Sequence, residues 1–150
     1  MNAKANIPRT NPSFIQKITI EVIPHLNQRY NTCGDWQFDA KGNLKIKVSR
    51  LARTGWRGSA AIAVHELVEA LLCQARGITT EDVDKFDLSF DPAVQEWEPG
   101  DDPTCPCKRE HCVATGVERI LINEFGIDWL PYENELEEMT KDYELVNGHE

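Results

Sequence analysis

The segment from Gly58 to Gly77 constrains the fold of this chain most, because it combines an apolar helical pattern with three charged side chains. As a helix it is apolar on nearly every side, which is typical of a central helix buried all round. His65, Glu66 and Glu69 lie in its middle. Burying a charge without a partner is costly, so such groups are usually paired or bound to a metal ion. The segment therefore predicts a buried helix that carries a polar site.

The spacing of these three residues favours a metal ion. His65 and Glu69 are four residues apart and share one helix face, with Cβ atoms roughly 5–6 Å apart. Glu66 points about 100° further round the helix, where it can reach a water on the ion. Zinc peptidases use the pattern H-E-x-x-H, with two ligands and a general base between them. This chain has H-E-x-x-E, which predicts His65 and Glu69 as ligands and Glu66 as the base.

A second predicted helix supplies the remaining candidates. His111 and Glu118 are seven residues apart and therefore share one face of that helix. If this face meets the first helix, His65, Glu69 and His111 complete a ligand set that suits catalytic Zn²⁺ and also Mn²⁺ or Fe²⁺. Glu118 is then a further ligand, or orients the His111 ring through a hydrogen bond. Asp87, on a short helix between the two, is another alternative ligand.

Three alternatives stay open at this stage. The charged residues of the first helix can form a structural ion-pair cluster. A structural zinc can instead use Cys105, Cys107 and Cys112 with His111, although these spacings differ from those of standard zinc knuckles. MazG-like and ferritin-like helical sites need several carboxylate motifs, and only one appears here.

The rest of the pattern predicts an α+β fold in a single domain. We expect a small antiparallel sheet of about three strands, packed on the central helix and flanked by a second long helix and a C-terminal helix. The strands are predicted at 14–23, with Ile18, Ile20 and Val22 on one half-buried side, and in a hairpin within 34–50. Residues 1–13 are predicted as a loose leader, 91–107 as a long surface loop and 147–150 as a frayed tail. His25 is predicted at the surface.

Composition excludes several classes of partner. The net charge of −9 argues against nucleic acid and anionic membranes, because those surfaces need clustered Lys and Arg. No apolar run approaches the ~20 residues of a membrane span, and the N-terminus lacks a signal-peptide core. The five cysteines do not suggest a disulfide framework. We therefore expect a cytoplasmic protein, whose oligomeric state the sequence leaves open.

A resemblance adds a biological context. The run from His65 to Ile78, the segments 83–87 and 98–101, Pro103, and His111 with Glu118 resemble a family of small, uncharacterised bacteriophage proteins, over roughly residues 36–132. More distantly, strands followed by an H-E-x-x helix and a later ligand helix are similar to a minimal gluzincin-type zinc metallopeptidase. The resemblance implies a phage origin, and hence the host cytoplasm. Glu69 stands where those peptidases have a histidine.

Together these observations predict a zinc-dependent hydrolase. One such hydrolase is a peptidase, whose substrate is a peptide. In that mechanism Glu66 takes a proton from the metal-bound water and passes it to the leaving group. The alternative is a non-enzymatic phage accessory protein, in which a metal or an ion-pair cluster only holds two helices together.

Overall fold

The computed structural model describes residues 14–90 and 99–148, which form three strands and four helices in an α+β arrangement, as predicted. The strands are β1 (Ile18–Ile23), β2 (Gly34–Phe38) and β3 (Leu44–Ser49), and the helices are α1 (Gly55–Ala75), α2 (Thr80–Ser89), α3 (Lys108–Glu124) and α4 (Trp129–Asn147). Short 3₁₀ turns lie at His25–Asn27 and Pro99–Asp101. The predicted leader, residues 91–98 of the predicted loop and residues 149–150 of the predicted tail lie outside the described residues.

The sheet is mixed, so the prediction of an antiparallel sheet is wrong for one strand. The strand order is β1-β3-β2, and β2 pairs with β3 as the predicted antiparallel hairpin. β1 pairs with β3 in parallel. The connection through residues 24–33 reverses the chain between β1 and β2, and β3 lies between them. A strand that runs opposite to β2 therefore runs parallel to β3.

The predicted burial of β1 is also wrong. Ile18, Ile20 and Val22 do share one side of the strand, but each is 46–48% exposed. Helix α1 packs against β2 and β3 rather than against β1. A groove of about 730 Å³ separates β1 from α1, and Trp56 lines it. The core side of the sheet is formed instead by the hairpin, including the fully buried Leu44 of β3.

Helix α1 lies between the sheet and α3, as its apolar pattern predicted. It ends where expected: Gly77 has φ +72°, and the amide of Ile78 donates to the Cys73 carbonyl, which is a Schellman motif. At its start, Thr54 and Ser59 are the hydroxyl residues close enough in sequence to cap it. Neither hydroxyl caps the helix; the buried carboxylate of Glu135 on α4 accepts the Thr54 amide and hydroxyl.

The other helices begin and end at recognisable signals. Thr79 and Asp82 form the capping box that begins α2. Gly126, with φ +73°, ends α3 in the same way that Gly77 ends α1. The predicted C-terminal helix is confirmed as α4, which continues through Asn147.

His25 is buried, which contradicts the prediction of a surface histidine. Its Nδ1 lies 2.8 Å from the Ser49 hydroxyl and its Nε2 lies 3.3 Å from the Asn31 side-chain oxygen. The ring also makes an edge contact with Tyr143 of α4. His25 therefore connects the end of the sheet to α4, a tertiary role that local polarity could not reveal.

Candidate metal centre

Three predicted ligands meet where α1 packs against α3. His65 and Glu69 come from successive turns of α1, and His111 comes from the first turn of α3. His65 Nε2 lies 3.1 Å from Glu69 Oε2 and 3.2 Å from His111 Nδ1. Glu69 Oε2 and His111 Nδ1 are 3.0 Å apart. Within residues 14–90 and 99–148, this is the group of ligand-type side chains close enough to share one ion.

The triangle of donor atoms has nearly the dimensions of one face of a metal site. Ligand atoms about 2.1 Å from a tetrahedral zinc ion lie about 3.4 Å from each other. The three observed separations are 3.0–3.2 Å. Each side chain would need to move by only a few tenths of an ångström to bind one ion. The donor set also fits, because two imidazoles and one carboxylate leave a fourth position open.

Proton positions at the triangle also favour a cation. His65 Nδ1 faces the Glu118 carboxylate at 2.8 Å, so that nitrogen carries a proton and donates it. A neutral His65 ring then presents a lone pair at Nε2, beside the lone pairs of Glu69 Oε2. His111 Nδ1 is within reach of both atoms and can donate to only one of them. A metal ion would satisfy all three atoms at once, without a shared proton between any two of them.

A protonated His65 is the competing way to satisfy the cluster. Burial pushes the pKa of His65 down, but the carboxylates of Glu118 and Glu69 outweigh it and hold the pKa well above its ordinary value. Burial likewise raises the pKa of Glu69, and the two imidazoles more than reverse this, so that its pKa is low. An imidazolium between two carboxylates is a stable ion-pair cluster. In that state His65 Nε2 donates to Glu69 Oε2, and His111 Nδ1, 3.0 Å from the same oxygen, can also donate to it.

The candidate ligands from α1 are oriented by residues on other elements. Glu118 of α3 accepts from His65 Nδ1, and Glu118 itself accepts from the Tyr132 hydroxyl at 2.5 Å. The Trp36 indole of β2 donates to Glu69 Oε1 at 3.2 Å, which turns the other oxygen of Glu69 towards the triangle. Carboxylates that hold metal-binding histidines in this way are a regular feature of metal sites. The prediction that Glu118 orients His111 is therefore wrong, since it holds His65.

His111 is held from the segment that precedes α3. Its amide donates to the Cys107 carbonyl at 2.8 Å, and its ring packs directly on Gly100, where any Cβ would overlap it. The Asp101 carboxylate lies 3.7 Å from His111 Nε2, too far for a hydrogen bond. The side chain of His111 is 17% exposed, against 8% for His65 and Glu69. Solvent therefore reaches the triangle most directly from the His111 side.

Glu66 lies beside the triangle, on the same helix as His65 and Glu69. The residue is 9% exposed, and no donor within the described parts of the chain reaches its carboxylate. The carboxylate packs on Gly34 of β2, where a Cβ would lie 2.6 Å from its carboxyl carbon. Burial and the neighbouring charge of Glu69 hold the pKa of Glu66 well above its ordinary value. Since no described residue donates to this carboxylate, it is available to a water molecule.

Asp87, predicted as an alternative ligand, lies outside the donor triangle. Its carboxylate accepts the Tyr30 hydroxyl at 2.9 Å. Burial raises the pKa of Asp87 to about 6, and the charge of Glu69 contributes to this shift. Asp87 therefore contributes charge to the surroundings of the site while its contact is with Tyr30.

The cysteines do not build the alternative zinc site around His111. Cys105 and Cys107 are buried with their sulfur atoms 2.7 Å apart, whereas Cys112 is exposed on α3. No four-ligand group containing them occurs in the described segments. The two cysteines differ in pKa. The hydrogen bond between the thiols lowers the pKa of Cys105 and raises that of Cys107, and burial raises the pKa of Cys107 further.

Sequence reasoning missed the residues that contact the candidate ligands or their immediate neighbours Glu66 and Glu118. Trp36, Tyr132, Gly34 and Gly100 are separated from the ligands along the chain or belong to other elements. Trp36 and Tyr132 carried one usable signal, since a buried indole or phenol normally finds a hydrogen-bond acceptor. Which acceptor each one finds depends on how the elements pack.

Comparisons with known proteins identify no relative. No protein-family model, curated protein or solved structure matches the chain. Within the described residues, no helix has the length and apolar character needed to cross a membrane. The likeness to phage proteins and to gluzincin peptidases therefore stays a prediction, and the site has to be interpreted from its own chemistry.

Proposed function

We propose that this protein is a metal-dependent hydrolase, with Zn²⁺ as the expected ion and a peptide bond as the first reaction class to test. His65, Glu69 and His111 would bind the ion. A zinc ion with an open position supplies a bound water whose pKa is near 7, which is a strong nucleophile at neutral pH. The substrate would approach from the His111 side, where the site is most exposed.

The observation that carries this proposal is the position of Glu66. A purely structural site needs no further carboxylate, yet Glu66 follows His65 directly and is buried against Gly34, and no donor among residues 14–90 and 99–148 reaches it. Its role in the proposal is to take the proton of the attacking water and deliver it to the leaving group. General bases of this kind typically contribute 10²–10⁴-fold in rate.

The alternative function is structural, and one observation favours it. His65 already has Glu118 and Glu69 as partners, so a protonated ring could hold α1 and α3 together without a metal. A small accessory protein that acts by binding a partner would need no more than this. Under that alternative, Glu66 would have no chemical role.

The variant Glu66→Gln separates the two functions, because it keeps the shape of the side chain and removes the base. Zinc-loaded wild type should cleave members of a quenched-fluorescent peptide library, and Glu66→Gln should lose about 100-fold or more in rate. The variant should keep its zinc stoichiometry and its circular dichroism spectrum. Equal cleavage by both proteins, or none by zinc-loaded wild type across peptide and ester libraries, would reject the hydrolase proposal.

A further inference from the structure

The segment before α3 contains two thiols in close contact. Cys105 and Cys107 are 6% and 2% exposed, and their sulfur atoms are 2.7 Å apart. A disulfide bond is 2.03–2.05 Å long, so a movement of well under 1 Å would bring the two atoms to bonding distance. We propose that Cys105 and Cys107 form a reversible disulfide, with small aliphatic disulfides as the reactants. This proposal does not rest on the metal site.

The pair is distinguished from the other cysteines by its geometry. Cys73 is buried on α1 and Cys112 is exposed on α3. Only one residue, Pro106, separates Cys105 from Cys107, and backbone hydrogen bonds hold both positions. The Cys105 amide donates to the Asp102 carbonyl at 3.0 Å, and the Cys107 carbonyl accepts the His111 amide at 2.8 Å. The folded chain therefore keeps the two thiols together before any bond forms.

The reaction balances as two thiol–disulfide exchanges. The Cys105 thiolate, on the more exposed of the two residues, attacks one sulfur of the small disulfide and displaces one thiolate. The Cys107 thiolate then attacks the Cys105 sulfur and displaces the second thiolate. The two cysteines lose two electrons and two protons, and the small disulfide is reduced to two thiols. No other oxidant is required.

The bond would stiffen the segment that positions His111. Cys107 directly precedes α3, and its carbonyl accepts the His111 amide. Gly100, earlier in the same segment, packs on the His111 ring. A disulfide between Cys105 and Cys107 lies between these two contacts along the chain. It therefore restricts the backbone that positions His111. The expected result is slower exchange of the His111 amide with deuterium in the oxidised protein.

Cystamine is a suitable probe because it is a small disulfide. The folded protein would be incubated with excess cystamine, blocked with an alkylating agent, denatured and digested with trypsin. Cleavage after Lys85 and Lys108 gives a peptide that contains Cys105 and Cys107 and no other cysteine. This peptide should lose the mass of two hydrogen atoms and regain it after treatment with dithiothreitol. An alkylated peptide, or one that keeps a cysteamine adduct, would overturn the proposal.

Two serine variants complete the test. Cys107→Ser removes the second exchange, so the adduct should persist at Cys105. Cys112→Ser removes the exposed thiol on α3 and should leave oxidation of the pair unchanged. Circular dichroism spectra would establish that both variants fold. If Cys107→Ser gives no adduct while wild type loses two hydrogen atoms, attack by Cys105 is wrong. If Cys112→Ser prevents the loss, the bond forms through Cys112 and the proposed pair is wrong.

Discussion

Tyr132→Phe tests how far the fold beyond α1 supports the site. Tyr132 is fully buried, and its hydroxyl donates to Glu118 at 2.5 Å, while Glu118 holds His65. Phenylalanine keeps the ring and its packing and removes only the hydroxyl. A hydrogen bond to a charged group contributes about 1.5–3 kcal/mol, and its loss also leaves one oxygen of a buried carboxylate unpaired. We expect the free energy of unfolding to fall by about 2 kcal/mol.

Urea denaturation of the metal-free protein measures this loss. With a dependence of about 2 kcal/mol per molar urea, the midpoint should move down by about 1 M while the slope stays unchanged. Zinc affinity is the second readout. Loss of a residue that orients a ligand typically weakens metal binding about 10–100-fold. Tyr132 contacts Glu118 and not His65 itself, so we expect zinc affinity to fall about tenfold, the lower end of that range.

Tyr143→Phe is the matched control, because it removes a hydroxyl from the same helix. The Tyr143 ring contacts His25, and its hydroxyl makes no hydrogen bond within the described residues. It should therefore change stability by less than about 0.5 kcal/mol. If the two variants had the same unfolding free energy and zinc affinity, the chain of contacts from α4 to His65 would contribute nothing measurable. Tyr132 would then have no part in holding His65 through Glu118.

Two further predictions concern the segment before α3 and the end of the sheet. Gly100→Ala places a Cβ in the space of the His111 ring, so competition titration should show about tenfold weaker zinc binding; Gly116→Ala on α3, where a Cβ meets nothing, should not weaken it. Burial lowers the pKa of His25 below 6.5, although Asn31 and Asp142 oppose this. As the pH falls through about 6.5, the unfolded chain binds a proton at His25, whereas the folded protein binds it only at a lower pH. The free energy of unfolding is therefore highest above about pH 6.5 and decreases as the pH falls below it. Between about pH 8 and pH 5, the melting temperature of His25→Gln should fall less than that of wild type; an equal fall would contradict the assignment.

Local patterns were sufficient to predict α1 and the shared face of His65 and Glu69 on it. Four-residue spacing brings His65 and Glu69 to one face of any helix, whatever surrounds it. The glycine that ends α1 was equally readable, because only a residue that accepts positive φ fits there. His111 was predicted from the same periodicity on a second helix. The sequence could say only that His111 joins the α1 residues if the two helices pack on each other. They do pack on each other.

Long-range packing decided what the sequence could not show. Glu118 holds His65 rather than His111 because of how α3 crosses α1, and helix periodicity does not specify that. The parallel pairing of β1 depends on the path of residues 24–33, which alternation within the strand cannot report. His25 looked like a surface residue because its neighbours are polar, yet Ser49 and Tyr143 cover it from distant positions.

The most direct test of the central claim is the metal content of the purified, untagged protein, measured by elemental analysis beside His65→Ala and Glu137→Ala. Glu137 is an exposed carboxylate on α4 and serves as the control. We expect about one zinc per chain in wild type and in Glu137→Ala, and none in His65→Ala. Wild type without stoichiometric metal, even after zinc is added back and excess removed, would mean that these residues do not form a metal site. His65, Glu69 and His111 would then be an ion-pair cluster that joins α1 to α3.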